Sequence, residues 1–475
     1  MKALAPLFLI VLWLAPPAIA QPAPPAQGAA PVARPTTAID PAGCVTEQCH
    51  VGVKQHKVVH GPVNVNACDA CHTLTNPAEH KYEMARGKTE MCTFCHQVDT
   101  GGMPVVHKPV ADGDCLGCHD PHGGATIKFV RGGDNMAAMC ATCHKDVIAN
   151  KKNVHGPAAA GACVSCHPAH ASQYPKLLAA EGRDLCFSCH NEMKQQMATV
   201  AFQHKAVEAD CSSCHDPHAS DYPMQTRLPP VELCTSCHEH EPIKTAALSS
   251  KNKHSIVIEG DGCLNCHTAH GGDLSKLMKN DQLKVCMKCH EQPITSSTGK
   301  VVAGVPEVLD QSMTRHGPAQ QGECGGCHNV HGSDVSRLLA KAYPEPFYQS
   351  FALDKYDLCF GCHDAQLVTT KKTTGLTRFR NGDENLHFLH VNKSDRGRNC
   401  RACHATHAAA DPLLVRDTVP YGKWDMPLNF KTTETGGSCS PGCHKPYDYD
   451  RETPVNYTAP AATPTTSPAA QEDKP

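Results

Sequence analysis

Paired cysteines followed by a histidine run through this chain and account for its whole cysteine content. The sequence has 475 residues, with 30 cysteines and 32 histidines. Thirteen motifs read C-x-x-C-H, and two are stretched, C-V-T-E-Q-C-H from Cys44 to His50 and C-S-P-G-C-H from Cys439 to His444. Two thiols at this spacing can form thioethers with the vinyl groups of haem, and the adjacent histidine then binds the iron. The motifs therefore predict 15 covalently attached c-type haems.

Each predicted site has two attachment cysteines and one proximal histidine. The cysteines are Cys44 and Cys49, Cys68 and Cys71, Cys92 and Cys95, Cys115 and Cys118, Cys140 and Cys143, Cys163 and Cys166, Cys186 and Cys189, Cys211 and Cys214, Cys234 and Cys237, Cys263 and Cys266, Cys286 and Cys289, Cys324 and Cys327, Cys359 and Cys362, Cys400 and Cys403, and Cys439 and Cys443. The proximal histidines are His50, His72, His96, His119, His144, His167, His190, His215, His238, His267, His290, His328, His363, His404 and His444. No catalytic residue is predicted.

Zinc binding and disulfide formation are the alternative uses of cysteine pairs. A structural zinc site needs four nitrogen or sulfur ligands from the protein. A disulfide framework would leave unexplained the histidine that follows the second cysteine in every motif. Haem attachment uses all three residues, so the sequence favours it.

Histidines outside the motifs predict the second axial ligands. Seven lead the repeats described below: His60, His107, His155, His204, His254, His316 and His390. Seven follow the first motif of a repeat: His80, His122, His170, His218, His270, His331 and His407. The alternative role for such histidines is a solvated side chain or a hydrogen bond to a propionate. Because they recur at the same positions, we expect them to be iron ligands.

Three histidines, His56, His240 and His387, remain, and one of them could serve the fifteenth haem. Counted this way, the motif at Cys44 is the one without an assigned distal partner. Spacing alone does not assign each histidine to its haem, because a distal ligand can come from a neighbouring repeat. Two histidines on every iron would close it to substrates and favour electron transfer at comparatively low potential.

The motifs form a tandem array between two segments of low complexity. Residues 1–20 read as a secretory signal peptide and residues 21–40 as a leader rich in proline and alanine. The haem region covers residues 41–450 and comprises a lone motif and seven repeats with two motifs each. The repeats cover residues 60–96, 107–144, 155–190, 204–238, 254–290, 316–363 and 390–444. Residues 451–475 are predicted to be disordered.

Composition and periodicity predict a mostly irregular fold with short α-helices and little β-structure. Aromatic residues make up 5% of the chain and its mean hydropathy is −0.38. The sustained repeat indicates an elongated array in which the haems form the core. The first motif of a repeat, flanked by glycine, proline and aspartate, should lie in a loop, whereas the second often lies in a helix-compatible run such as residues 184–197. The insertion at residues 408–438, which contains Trp424, could form a local cap.

The signal peptide and the charge predict the compartment and the partners. We expect export to the periplasm, with the cell surface as an alternative, and no transmembrane segment. The formal net charge is −3, and haem propionates would add negative charge. Other redox proteins with basic docking faces are therefore the expected partners, and nucleic acid is not.

The repeat H-x(n)-C-x-x-C-H-x-x-H…C-x-x-C-H, clear from His155 to His190, resembles the doubled CXXCH motif family of multihaem cytochromes c. The resemblance covers residues 44–444 and implies an electron-transfer protein of anaerobic respiration. Some related proteins form filaments and others are oxidoreductases, so self-assembly and one open haem are the alternatives. The cytochrome nitrite reductases typically have a C-x-x-C-K motif. This chain has none, which disfavours that class of enzyme.

Overall fold

The computed structural model describes residues 35–40, 43–98, 100–133, 136–144, 147–238, 243–296 and 299–457. The chain divides into two compact parts, Met1–Asp146 with Pro157–Ala179 and Val147–Gly156 with Ala180–Pro475. The predicted signal peptide, most of the predicted leader, most of the predicted tail and His240 lie outside the described residues. Among the residues that are described, no helix has the length and apolar character needed to span a membrane.

Antiparallel strand pairs of two residues recur through the repeats. In each pair, the strand before the leading histidine of one repeat is hydrogen-bonded to the strand after the following histidine of the next repeat. The pairs are Val58–Val59 with Gly123–Gly124, Val105–Val106 with Ala171–Ser172, Asn153–Val154 with Ala219–Ser220, Phe202–Gln203 with Gly271–Gly272, Asn252–Lys253 with Gly332–Ser333, and Thr314–Arg315 with Ala408–Ala409. This pairing places a leading histidine beside the following histidine of the next repeat.

A short α-helix begins one residue after six of the leading histidines. These helices are Gly61–Asn64, Lys108–Ala111, Gly156–Ala159, Lys205–Ala209, Ser255–Ile258 and Gly317–Gln320. Proline in the first turn, as at Pro62 and Pro318, favours a helix start because its fixed φ suits the first turn and its missing N–H is not needed there. The preceding histidine is extended at His60 and His107, which turns its side chain out of the helical backbone.

The first motif of each repeat forms a 3₁₀ turn, which is more regular than the predicted loop. These turns are Cys68–Ala70, Cys115–Gly117, Cys163–Ser165, Cys211–Ser213, Gly262–Asn265, Cys324–Gly326 and Cys400–Ala402. The second motif begins in an α-helix in six repeats, as predicted: Glu90–Thr93, Ala137–Cys140, Gly182–Phe187, Pro230–Thr235, Gln282–His290 and Asp357–Phe360. Further helices are Asn191–Thr199, Ile243–Ser249, Gln366–Thr369 and Leu386–Val391. Additional 3₁₀ turns are Val51–Lys54, Pro77–Glu79, Pro175–Leu177, Pro223–Gln225, Ser275–Leu277, Pro306–Val308, Ser336–Leu338 and Leu353–Tyr356.

The remaining strands form small sheets. The two-stranded sheets are His72–Asn76 with Lys81–Met84, Ile294–Thr295 with Val301–Val302, Tyr348–Gln349 with Gly397–Arg398, Arg380–Asn381 with Glu384–Asn385, and Thr418–Tyr421 with Trp424–Pro427. A three-stranded sheet contains Lys431–Thr432, Gly436–Cys439 and Tyr447–Asp450. The insertion at residues 408–438 thus forms a hairpin that carries Trp424 and strands beside the last motif.

Apolar packing is concentrated in the C-terminal region. One cluster of buried side chains contains Tyr343, Tyr356, Val368 and Val391. A second contains Val415, Val419 and Leu428. Many of the other buried apolar residues in the described ranges are alanines, such as Ala171, Ala219 and Ala247. Elsewhere in the described chain, side chains therefore provide little core, in agreement with the sparse aromatic composition.

Replacing Gly332 with alanine should destabilise the strand pairing between repeats. Gly332 has a φ of 152°, and a Cβ there would lie 1.9 Å from the backbone oxygen of Ala246. Relieving such an overlap requires a backbone shift, so we expect the free energy of unfolding to fall by about 1–3 kcal/mol. Thermal unfolding of the holoprotein, followed by circular dichroism, measures the loss. Gly317→Ala is the matched control, because a Cβ at Gly317 meets no atom within 4 Å. Equal midpoints for the two variants would contradict the prediction.

Candidate haem-binding sites

Histidines from the motifs lie opposite histidines from outside the motifs, with their imidazole rings 5.8–6.5 Å apart between centroids. Leading histidines form the pairs His60 with His96, His107 with His144, His155 with His190, His204 with His238, His254 with His290, and His316 with His363. Following histidines form the pairs His80 with His50, His122 with His72, His170 with His119, His270 with His215, His331 with His267, and His407 with His328. Almost all of the predicted distal histidines thus lie next to a proximal one.

The separation of these rings fits two axial ligands on one metal ion. A metal–imidazole nitrogen bond is about 2 Å long, so two rings bound on opposite sides of an ion have centroids about 6 Å apart. Imidazoles in direct contact would be closer than this. The nearby motif cysteines supply the thioether positions of a c-type haem, so the residues present fit that group. Among the described residues, no cluster of three or more histidine, cysteine or acidic side chains is placed to hold a bare metal ion.

The pairing follows a rule that spacing did not reveal. A leading histidine pairs with the second motif of its own repeat, as His254 does with His290. A following histidine pairs with the first motif of the preceding repeat, as His331 does with His267. This shift gives the lone motif at Cys44 a partner, because His80 of the first repeat lies 6.5 Å from His50. The histidine that the structure brings to this motif is thus His80 of the first repeat, which the sequence count had grouped with the haems of the repeats.

Hydrogen bonds hold the leading histidines in one orientation. Their Nδ1 atoms donate to the carbonyl oxygen of the residue just before a following histidine. The bonds run from His60 to Pro121, His107 to Ala169, His155 to Pro217, His204 to Ala269 and His254 to Val330, at 2.8–3.0 Å. A donor Nδ1–H leaves Nε2 as the unprotonated nitrogen, the form that binds a metal. The strand pairing between repeats therefore also fixes the ligand tautomer.

The proximal histidines of the first motifs are held in the same way. In six repeats Nδ1 donates to a carbonyl nine residues further on, at 2.8–3.1 Å: His119 to Lys128, His167 to Lys176, His215 to Met224, His267 to Lys276, His328 to Arg337 and His404 to Leu413. Four of the acceptor residues, Lys176, Met224, Lys276 and Arg337, have a positive φ of 56–60°. Such a backbone is unfavourable for these residue types and persists where the surroundings require it. Here it directs a carbonyl at the imidazole, a feature that motif spacing alone could not predict.

Thiols of successive motifs lie in contact. The first cysteine of a motif is hydrogen-bonded to the first cysteine of its neighbour in sequence at Cys44 with Cys68, Cys92 with Cys115, Cys140 with Cys163, Cys234 with Cys263, Cys286 with Cys324, and Cys359 with Cys400. The contact raises the pKa of the Cys234 thiol and lowers that of the Cys263 thiol. Five of these contacts join the second motif of one repeat to the first motif of the next, and the contact at Cys44 joins the lone motif to the first repeat. Attachment sites on the two sides of a repeat boundary are therefore neighbours.

The two motifs within a repeat are also neighbours, through the second cysteine of the first motif. Electrostatic interactions connect Cys71 with Cys92, Cys118 with Cys143, Cys214 with Cys237, Cys266 with Cys289, Cys327 with Cys359, and Cys403 with Cys439. Together with the thiol contacts between repeats, these interactions place the motifs in sequence order within each compact part.

The stretched motifs accommodate their additional residues in local turns. In the motif at Cys44, the hydroxyl of Thr46 accepts hydrogen bonds from the amides of Gln48 and Cys49. In the motif at Cys439, the Cys439 Sγ atom lies 3.4 Å from the Leu428 carbonyl oxygen. The Cys443 Sγ atom lies 3.3 Å from the Met426 Sδ atom. The motif at Cys44 thus closes on a turn at Thr46, whereas Cys439 is the last residue of the strand Gly436–Cys439.

The last repeat departs from the pattern. The ring of His404 lies 6.4 Å from that of His387, which is not at one of the recurring positions. Burial lowers the pKa of His387 to about 4 and so keeps it neutral, the form that coordinates a metal. His444 contacts the ring of Tyr447 at 5.0 Å. Of the three unassigned histidines, His387 alone is brought to a proximal histidine within the described ranges, and its isolated position in the sequence gave no signal for this.

Five segments of the chain match the model of the family described as doubled CXXCH motif. They are residues 107–149, 155–195, 204–242, 254–294 and 316–367. Each matched segment starts at a leading histidine and contains both motifs of one predicted repeat. No curated protein matches the chain significantly.

Proposed function

Because the chain belongs to the doubled CXXCH motif family of multihaem c-type cytochromes, we propose that it is an exported electron carrier with 15 haems. The paired imidazoles carry this proposal, since their spacing would close both axial positions of an iron. Haem supplies reversible one-electron chemistry at a potential that its axial ligands set. Closed irons favour transfer of electrons between proteins over reaction with a substrate, so the chain is a carrier rather than an enzyme.

The protein residues set the order and the surroundings of the attachment sites. Thiol contacts such as Cys286 with Cys324 bring successive sites together, which favours passage of electrons along the array. The Nδ1 hydrogen bonds raise the basicity of the imidazoles and hold them in place, as at His267 and Lys276. We assign the carrier to the periplasm or cell surface in anaerobic respiration, where its acidic holoprotein would be steered to basic faces of redox partners.

An oxidoreductase with one open haem is the alternative, and the surroundings of His444 favour it. His444 has no imidazole partner at the common spacing among the described residues, and its ring packs on Tyr447 instead. An open iron at this terminal motif would accept a small ligand, whereas closed irons would not.

Intact mass, a haem assay and carbon monoxide binding to the reduced protein test both functions together. The carrier proposal predicts 15 haems per chain and less than one carbon monoxide bound per chain. A count of 13 would mean that the two stretched motifs are empty. Stoichiometric binding of one carbon monoxide would establish the open-haem alternative, and binding to several haems would contradict the proposal of closed irons.

A further inference from the structure

The helix Leu386–Val391 carries two histidines, His387 and His390, one turn apart. Asn385, which is fully buried, fixes the start of this helix. Its side-chain oxygen accepts hydrogen bonds from the backbone N–H groups of His387 and Phe388. The Asn385 amide group also donates to the carbonyls of Leu367 and Thr370 at 2.8 Å. Residues three apart share one face of a helix. Both imidazoles are therefore presented together by a rigid element.

His387 is arranged like the distal histidines elsewhere in the chain, and His390 shares with them an Nδ1 atom bonded to a carbonyl oxygen. His387 lies at the common pair spacing from His404, with the two rings 18° from parallel. The Nδ1 atom of His390 donates to the Leu386 carbonyl oxygen at 2.7 Å, which leaves its Nε2 free for a metal. A leading histidine in the other repeats has its Nδ1 bonded to a carbonyl in the same way, as at His254.

Aromatic packing connects His390 to the sheet that carries the last motif. Phe379 stacks on His390 with ring centroids 5.7 Å apart and meets Tyr449 edge-on at 5.1 Å. Tyr449 belongs to the strand Tyr447–Asp450, which pairs with the strand Gly436–Cys439 in the register Cys439 opposite Tyr447. Through Phe379, His390 is thus connected to the sheet that contains Cys439, a few residues before His444.

The two motifs concerned are themselves adjacent. Cys403 of the first interacts electrostatically with both Cys439 and Cys443 of the second. One short helix can therefore reach both sites. His407, the following histidine of this repeat, is already paired with His328, which leaves His390 as the remaining predicted ligand for the terminal motif.

We propose that the helix Leu386–Val391 supplies the sixth ligand to each of the last two haems, with His387 opposite His404 and His390 opposite His444. This inference rests on the proposed function, because it assumes that haems are attached at Cys400 and Cys439. In the other repeats, the two motifs take their distal histidines from two separate segments. In the last repeat, this one helix would supply both. The array consequently ends on one rigid element that holds two neighbouring irons closed.

The test compares His387→Ala, His390→Ala and the double variant with wild type as loaded holoproteins. Electron paramagnetic resonance of the oxidised proteins counts high-spin haems, and carbon monoxide titration of the reduced proteins counts open irons. We expect each single variant to gain one high-spin, carbon monoxide-binding haem per chain, and the double variant to gain two. Added imidazole should restore the low-spin signal, which a general loss of structure would not allow. His56→Ala is the matched control and should change neither count.

His390→Met provides a second measurement that does not open the iron. A methionine can replace histidine as an axial ligand and raises the haem potential, so this variant should stay low-spin while one haem shifts to higher potential. No change in His390→Ala or His390→Met would overturn the assignment of His390, and no change in His387→Ala would overturn that of His387. Several carbon monoxide-binding haems in wild type would instead contradict the proposed carrier function. A single one in wild type, unchanged in His390→Ala, would show that the terminal haem is open and overturn the assignment of His390 alone.

Discussion

Without attached haem, this chain is expected to be largely unfolded. The longest helices in the described part of the chain have nine residues, below the length of about 12–15 residues at which isolated helices become even marginally stable. The strands that join successive repeats have two residues each. These elements need a core to pack against, and the buried side chains of the repeats supply little of one. Haem attachment should therefore be coupled to folding, as metal binding is in small metalloproteins.

Expression of residues 41–457 in a cytoplasm that lacks haem attachment provides the apoprotein for this test. Circular dichroism should show mostly irregular chain, and amide hydrogen exchange should be fast at the leading histidines His155 and His204. The C-terminal region is an internal comparison, because protein side chains form its two apolar clusters, which include Tyr356 and Leu428. Residual protection should be confined to that region. Cooperative thermal unfolding of the whole apoprotein would contradict a fold that depends on haem.

Replacing His331 with methionine should raise the potential of one haem by on the order of 0.1 V, a fraction of the ~0.8 V range over which axial ligands set haem potentials. The ring of His331 lies 6.3 Å from that of His267, which belongs to the preceding repeat. Methionine in place of a histidine ligand favours the reduced iron. A spectroelectrochemical titration of the holoprotein should show one haem reduced at higher potential than in wild type. His56→Met is the control, because His56 forms no imidazole pair in the described ranges, and it should leave the titration unchanged.

Removal of single haems identifies which one has changed. Cys263→Ser with Cys266→Ser removes the attachment site of the preceding repeat, and in the His331→Met background it should abolish the high-potential component. Cys324→Ser with Cys327→Ser removes the attachment site in the repeat of His331 itself and should leave that component in place. The reverse result would mean that a following histidine serves its own repeat, contrary to the pairing in the structure.

The sequence motifs predict the individual sites but not which histidine lies beside which motif. Motif composition identified the cysteines and proximal histidines, and recurrence identified the leading and following histidines. Which histidine serves which motif depends on strand pairs between repeats, such as Asn252–Lys253 with Gly332–Ser333. Two-residue strands carry almost no periodic signal, so this shift by one repeat could not be read from spacing. His80 stands eight residues after the motif histidine His72, whereas the other following histidines stand three residues after theirs, and its ring lies beside that of His50 of the lone motif.

The partner of the proximal histidine His404 in the last repeat could not be predicted from the sequence either. His387 stands at no repeated position, and only the structure shows its imidazole beside that of His404.

The positive φ at Lys176 and Met224 could not be predicted from the sequence, because neither residue type favours that conformation. Short helices and little β-structure were predicted, since a chain with few aromatic residues has little with which to build a larger apolar core, and the many two-residue strands were not foreseen.

Near-infrared magnetic circular dichroism of the oxidised holoprotein tests the central claim most directly, because the charge-transfer band of a ferric haem reports its axial ligands. If the paired imidazoles are the ligands, the spectrum should contain low-spin haem with two histidine ligands and account in this way for all haems in the sample. A substantial component of high-spin haem, or of haem with one histidine and one methionine, equivalent to several haems per chain, would contradict the assignment of these histidine pairs and the closed electron carrier built on them.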